Sequence, residues 1–229
     1  MQGRTERLFI GCGVGGTVLL FAGLVLGHLL PPPSPSWDAT KITAFYRQHL
    51  AAMRWGSILM AFGAALIGPW LGVMAKDLKG IPRYGSIVAY CQTALGALLV
   101  FEIVLPVTVL QVVLFRLDRP VADTQALSDL FLVLFISPAY TFIVELLVTA
   151  VAIIGDAGTP RVFPRWFAAL NVGTAVLSLP GILVIFVKSG PFTWNGDFGF
   201  WIPAVVFGIW IMVMTIGMLQ RDAAIAKSS

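Results

Sequence analysis

The sequence predicts an all-α integral membrane protein: one transmembrane domain of six helices, several of them kinked, with a single amphipathic helix on the extracytoplasmic surface. Three observations predict it. Of 229 residues, 58% are hydrophobic and 11% charged, against a charged share of about 25% in soluble domains. Mean hydropathy is +0.90. Apolar runs of the ~18 or more residues that a bilayer core requires recur along the whole chain.

Those runs fall at about residues 8–30, 55–75, 86–115, 127–154, 166–187 and 200–219. The first follows Arg4 and Arg7 as a signal peptide would. At about 23 residues it exceeds an ordinary signal h-region and no A-x-A site follows, so it reads as an uncleaved signal anchor. Pro31-Pro32-Pro33-Ser34-Pro35 cannot continue a helix and is expected to run as polyproline II. Ser36 or Asp38 then caps a surface helix over about residues 38–53, with Ile42, Phe45, His49 and Met53 on one face and Lys41, Thr43 and Arg47 turned away. Such a helix would roof the mouth of the bundle.

Small-x-x-x-small steps at Gly23/Gly27, Ala64/Gly68 and Gly68/Gly72 predict close packing of the first two spans. The third and fourth runs are longer than a bilayer needs and are expected to tilt or project. Pro69, Pro106, Pro138 and Pro180 lie inside spans two to five, where each bends its helix and frees a carbonyl one turn earlier. Four bent helices predict a cavity at mid-depth. Asn195-Gly196 marks a tight turn, and Trp194, Phe198, Phe200 and Trp201 around it read as an aromatic belt at the outer interface, with a lid as the alternative.

The net charge of +4 and its fifteen Lys and Arg residues set topology, not nucleic-acid binding, because they sit in short loops and form no basic stripe. Nine lie with the two tails and the second and fourth loops, and six on the other side, which predicts cytoplasmic termini. Cys12 and Cys91 read as small apolar residues. No repeat links spans one to three with four to six, which counts against an inverted-repeat transporter.

Gly11, Gly13 and Gly16 match G-x-G-x-x-G, but inside a span, with no alternating α/β pattern after it. Close helix packing explains them better. His28 and His49 are the only histidines and both lie toward the outer side; a bis-histidine haem has no other support there, and a di-iron site needs more carboxylates and a Glu-x-x-His repeat, so neither metal nor cofactor is expected.

The candidate site rests on two acidic residues. Glu102 and Glu145 interrupt runs otherwise able to span a bilayer, where a charge costs ~2.5 kcal/mol or more and is normally turned inward for a function. At 100° per residue Thr141, Glu145, Thr149 and Asp156 fall within an arc of ~80°. Asn171, Thr174 and Ser178 share one face of the fifth span, expected to face that arc, and Glu102 has Gln92 about a quarter-turn away. If the two carboxyls meet they would share a proton, one serving as acid and the other as base toward a lipid-soluble substrate. Thr141, Thr149, Asn171, Thr174 and Ser178 would line the binding site. The same groups could carry protons, with Asp156 at the cytoplasmic end, or act only as hydrogen-bonding glue between helices.

The stretches Phe45-Tyr46-Arg47 through Pro69-Trp70, Val162-Phe163-Pro164-Arg165-Trp166, and Gly190-Pro191-Phe192-Thr193-Trp194-Asn195-Gly196 on to Phe207-Gly208-Ile209-Trp210 resemble a group of uncharacterised multi-span actinobacterial membrane proteins. The resemblance implies a bacterial cytoplasmic-membrane address and no particular chemistry. A pocket with two carboxyls is also similar, by analogy alone, to small membrane-embedded terpene cyclases, whose motifs are not matched. Three functions follow as expectations. First is an acid/base enzyme, of cyclase or isomerase type, acting on a lipophilic small molecule with Glu102 and Glu145. The others are an accessory or scaffold subunit of a membrane complex and a proton-coupled carrier. The expected partners are membrane lipids and that lipophile, with a homo-oligomer or a partner membrane subunit left open.

Overall fold

The computed structural model describes the backbone of residues 2–228 and the side chains of residues 3–223. Helix α1 (Gln2–Leu26) is followed by the surface helix α2 (Ala39–Gln48), then α3 (Leu50–Lys79) and α4 (Gly85–Phe115). Helices α5 (Val121–Ile136) and α6 (Ala139–Gly155) together make the fourth span. The fifth is α7 (Trp166–Ser178) with a 3₁₀ continuation over Leu179–Phe186, and the sixth is α8 (Ile202–Ser228), entered through a π-helical turn at Asp197–Trp201. Six segments are thus long and apolar enough to cross a bilayer. The chain is a multi-pass α-helical membrane protein with no strand among the described residues. An even number of spans puts both described ends on one side, called here the terminal face.

The spans close a ring. α1 packs on α3, α3 on α4, α4 on α5 and α6, α6 on α7, α7 on α8, and α8 returns to α1. Outward-facing Val18, Phe62, Tyr90, Val151 and Ile216 are exposed, as a lipid-facing surface requires. Ion pairs tie the helix ends at the terminal face: Glu6 with Lys76, Arg7 with Asp222, and Arg221 with the buried Asp77.

The boundaries depart from the sequence expectation at identifiable places. The surface helix stops at Gln48 instead of reaching residue 53. His49 alone turns the chain, so residues 50–53 begin the second span, which runs over 50–79 instead of 55–75. No Gly or Pro follows to keep the two helices further apart. The first span ends at Leu26, before Gly27 and His28, whose φ of 53° leaves the helical region. Pro69 and Pro106 lie within continuous helices. Pro138, by contrast, divides the fourth span, and Pro180 opens the 3₁₀ stretch; the missing amide donor is common to all four prolines, so it does not by itself separate the two outcomes.

α2 is capped by Asp38, whose carboxylate accepts from the Lys41 amide at 2.8 Å. Its buried face is Ile42, Thr43 and Tyr46, so Thr43 points inward, contrary to the expected phase. Tyr46 was outside that expectation. It is fully buried and its hydroxyl meets Ser128 Oγ of α5 at 2.7 Å. The helix is therefore bolted to α5. Burial holds the Tyr46 phenol well above the usual tyrosine range, against the opposing effect of the Ser128 hydrogen bond.

The tightest seam is α1 on α3. A Cβ on Gly16 would lie 2.6 Å from the Gly63 carbonyl oxygen, and one on Gly23 would lie 2.5 Å from that of Gly56; the reverse contacts are equally close. These glycines recur every seven residues, the spacing that keeps one stripe of a helix on its neighbour. Gly13 continues the stripe against the Trp70 ring. Of the expected small-residue steps, Gly23/Gly27 lies in this seam at backbone contact, a Cβ on Gly56 falling 2.8 Å from the Gly27 nitrogen; Gly68 and Gly72 face open space.

Candidate functional site

The four expected groups on α4 and α6 are drawn together, but as two separate pairs. Thr141 Oγ donates to Glu102 Oε1, and Gln92 Nε2 donates to Glu145 Oε1. Thr149 Oγ donates to Gln92 Oε1 at 3.1 Å, completing a chain from Thr149 through Gln92 to Glu145. Gln92, Glu145 and Thr149 are all fully buried, and the second carboxyl oxygen of Glu145 has no partner among the described residues. No hydrogen bond joins the two carboxyls among those residues. α4 and α6 run antiparallel, and Gln92 and Glu102 are about 15 Å apart along the α4 axis at 1.5 Å per residue. Each glutamate thus meets α4 or α6 at its own level.

The expected polar face of α7 is divided between its neighbours: Ser178 shares the wall of one cavity with Pro138, Ala139 and Phe142 at the start of α6. Asn171 turns to α8: its Oδ1 accepts from Trp210 Nε1 at 3.0 Å while its Nδ2 donates to the Phe167 carbonyl at 2.7 Å. Ser178 donates to the Thr174 carbonyl at 2.8 Å, so its hydroxyl is spent on its own helix. Thr174 is buried. Helical phase put Glu145, Thr149, Asn171, Thr174 and Ser178 on faces that are buried. It could not say which neighbour each face meets. Asp156 is not the end of a polar stripe either. It leaves the helix and accepts from the Gly158 and Val162 amides at 2.8 and 2.7 Å, closing the loop after α6.

A cavity of about 150 Å³ lies inside the ring, bordered by α1, α4, α5, α6, α7 and α8. Glu102 is the only charged residue in its lining, and Ser178 is the other polar one. Glu145 is not part of the lining. Three departures from α geometry meet at this cavity. Ile136, Pro138 and Ala139 bring the α5–α6 break, Ser178 immediately precedes the 3₁₀ stretch, and Gly199 and Phe200 belong to the π-helical turn. At membrane depth irregular backbone is tolerated where it is enclosed by protein or lines a cavity, and π-helical insertions recur at functional sites.

Aromatic rings floor the cavity. Phe142 and Phe207 stand edge to face at 5.5 Å, both pack on Trp210, and Trp210 meets Trp70 edge-on at 5.3 Å. Trp70 Nε1 donates to Thr215 Oγ1 at 2.9 Å. Neither Trp was singled out from sequence, although a Trp in mid-span needs an acceptor for its indole N–H. On the opposite side, Trp194 is buried and donates to the Pro33 carbonyl at 2.7 Å, latching the following loop to the polyproline segment. Phe200 is buried in the cavity wall. These two residues therefore face the protein and do not form an interfacial belt.

A larger groove of about 590 Å³ lies between the terminal-face ends of α1 and α3. Its rim residues Phe9, Pro69, Gly72 and Lys76 are exposed, so it is an open depression, and the partly open cavity at Glu102, where the irregular segments of three spans meet, is the better candidate site. The chain matches no known family model, no curated protein and no solved structure.

Proposed function

We propose that this protein binds a lipid-soluble small molecule in the intramembrane cavity, with Glu102 as its polar contact. The observation that carries the reading is the single carboxyl, presented by α4 and held by Thr141, in a wall whose other polar side chain is Ser178. Pockets that recognise small molecules commonly pair an apolar lining with a few placed polar groups. Size limits the ligand. A cavity near 150 Å³ is of the order that accommodates benzene, so the enclosed part takes a ring or a branched head group, and any long chain must lie elsewhere.

The geometry supports Glu102 alone as the group touching the ligand. Glu145 engages Gln92 outside the lining, so the acid/base enzyme reading loses its second catalytic carboxyl and ranks below simple binding. A proton-coupled carrier is the second reading, favoured by the three interrupted helices around one cavity, a construction that carriers use at mid-membrane sites. In either case we place the termini in the cytoplasm, on the basic-residue excess of the terminal side.

Small molecules extracted from purified wild-type protein and from Glu102→Leu should be compared by mass spectrometry. A lipophile enriched over bulk lipid in the wild type and depleted in the variant supports the reading. Identical bulk-lipid profiles from two well-folded proteins would sink it.

A further inference from the structure

We infer that the ligand of this cavity is a lipophilic organic cation, an amine or quaternary ammonium head group held between the Glu102 carboxylate and phenylalanine rings. This inference rests on the cavity-binding reading above and names the chemical class that reading leaves open. Two features of the wall select it. The first is charge. Glu102 faces the cavity, accepts a hydrogen bond from Thr141, and has no Lys, Arg or His among the lining residues to balance it. A half-buried carboxylate at membrane depth without a countercharge is costly, and a cationic ligand supplies that countercharge on binding.

The second feature is the aromatic content. Phe21, Phe135, Phe142, Phe200 and Phe207 come from α1, α5, α6, the π-helical turn and α8, and they converge on the cavity that holds Glu102. Aromatic rings attract a desolvated cation through their quadrupoles, which is how aromatic cages recognise quaternary ammonium groups. An anionic lipophile would meet the carboxylate unfavourably. A neutral hydrocarbon would fill the space but leave Glu102 with Thr141 alone. A volume near 150 Å³ also suits a compact trimethylammonium or benzylic head.

The test uses two probes of nearly the same shape, benzyltrimethylammonium and its neutral carbon isostere neopentylbenzene. Binding of each to the full-length protein in nanodiscs is measured by tryptophan fluorescence, with free concentrations corrected for partition into lipid. Wild type should prefer the cation by about tenfold or more, the equivalent of one desolvated cation–π contact plus the countercharge. Glu102→Gln, which keeps shape and hydrogen-bonding capacity, should lose most of that preference while still binding neopentylbenzene. Glu102→Asp should retain part of it. If neopentylbenzene binds as well as the cation to wild type, or if Glu102→Gln leaves the preference intact, the cation inference is overturned and the cavity reading survives. If neither probe binds a folded wild-type protein, the cavity reading itself fails.

Discussion

The α1–α3 seam and the cavity wall solve the membrane packing problem in opposite ways. In the seam two regular helices touch backbone to backbone at Gly16, Gly23, Gly56 and Gly63, with no room for one more carbon atom. Around the cavity three spans give up α geometry, and the side chains between them leave about 150 Å³ unfilled. Apolar side chains gain little by leaving lipid for protein, so helix association in a bilayer relies on close contact and on interhelical hydrogen bonds. The seam supplies the first. Gaps and irregular backbone cost stability, so their concentration at one place, beside one carboxyl, marks where the fold departs from its best packing.

The largest contrast comes from one methyl group placed at two positions on α3. Gly63→Ala should destabilise by about 3 kcal/mol, because the new carbon meets the Gly16 carbonyl and both helices must separate. Gly68→Ala, on the open side of the same helix, should stabilise by about 0.5–1 kcal/mol through helix propensity alone. Thermal unfolding in detergent with both variants gives the signs directly; two losses of similar size would refute the asymmetry.

A smaller effect is expected where α7 joins α8. Asn171→Leu removes the acceptor of the buried Trp210 indole N–H and should cost about 1–3 kcal/mol. Because Trp210 packs behind Phe142 and Phe207 of the cavity lining, its fluorescence should shift in the variant. An unchanged spectrum and unchanged melting temperature would show that this hydrogen bond does not hold the floor.

The surface helix α2 offers a still smaller one. Tyr46→Phe breaks the buried bond to Ser128 and should cost about 1 kcal/mol. Since the folded-state pKa of Tyr46 is raised above its unfolded value, the neutral phenol's contribution is complete below the unfolded pKa and is lost as pH rises through and above it. Alkaline titration at 295 nm should therefore show one of the four tyrosines ionising only when the surface helix is released. All four titrating together near the ordinary tyrosine value, with the protein still folded, would contradict the burial.

Much of this contrast was legible in the sequence, and its limits are physical. Run length revealed the six spans, and the cost of a mid-span charge singled out Glu102 and Glu145. Helical phase grouped Thr141, Glu145 and Thr149 on one side of α6. Phase carries no information on the register between antiparallel helices, however, so it could not foresee that Glu102 pairs with Thr141 while Glu145 pairs with Gln92. For the same reason Gly68 and Gly72 looked like packing residues when Gly56 and Gly63 make the contact. Trp194 and Phe200 looked interfacial by position, but the carbonyl of Pro33 and the cavity draw them inward.

The smallest expected stability change is the most diagnostic for the cavity. Ala204 is half-buried in its wall, and Ala204→Leu adds three carbons where there is space for them. In the seam a single added carbon forces helices apart, but here the new side chain fills a gap and gains contacts, so the change should stay within about 1 kcal/mol and lean toward stabilisation. The same variant should abolish binding of benzyltrimethylammonium by occupying its place. Melting temperature and binding, measured on one sample, thus move in opposite directions if the cavity is a ligand site that the fold leaves unfilled. A destabilisation as large as that of Gly63→Ala would mean that the wall is as tightly packed as the seam and that the gap does not persist in the membrane.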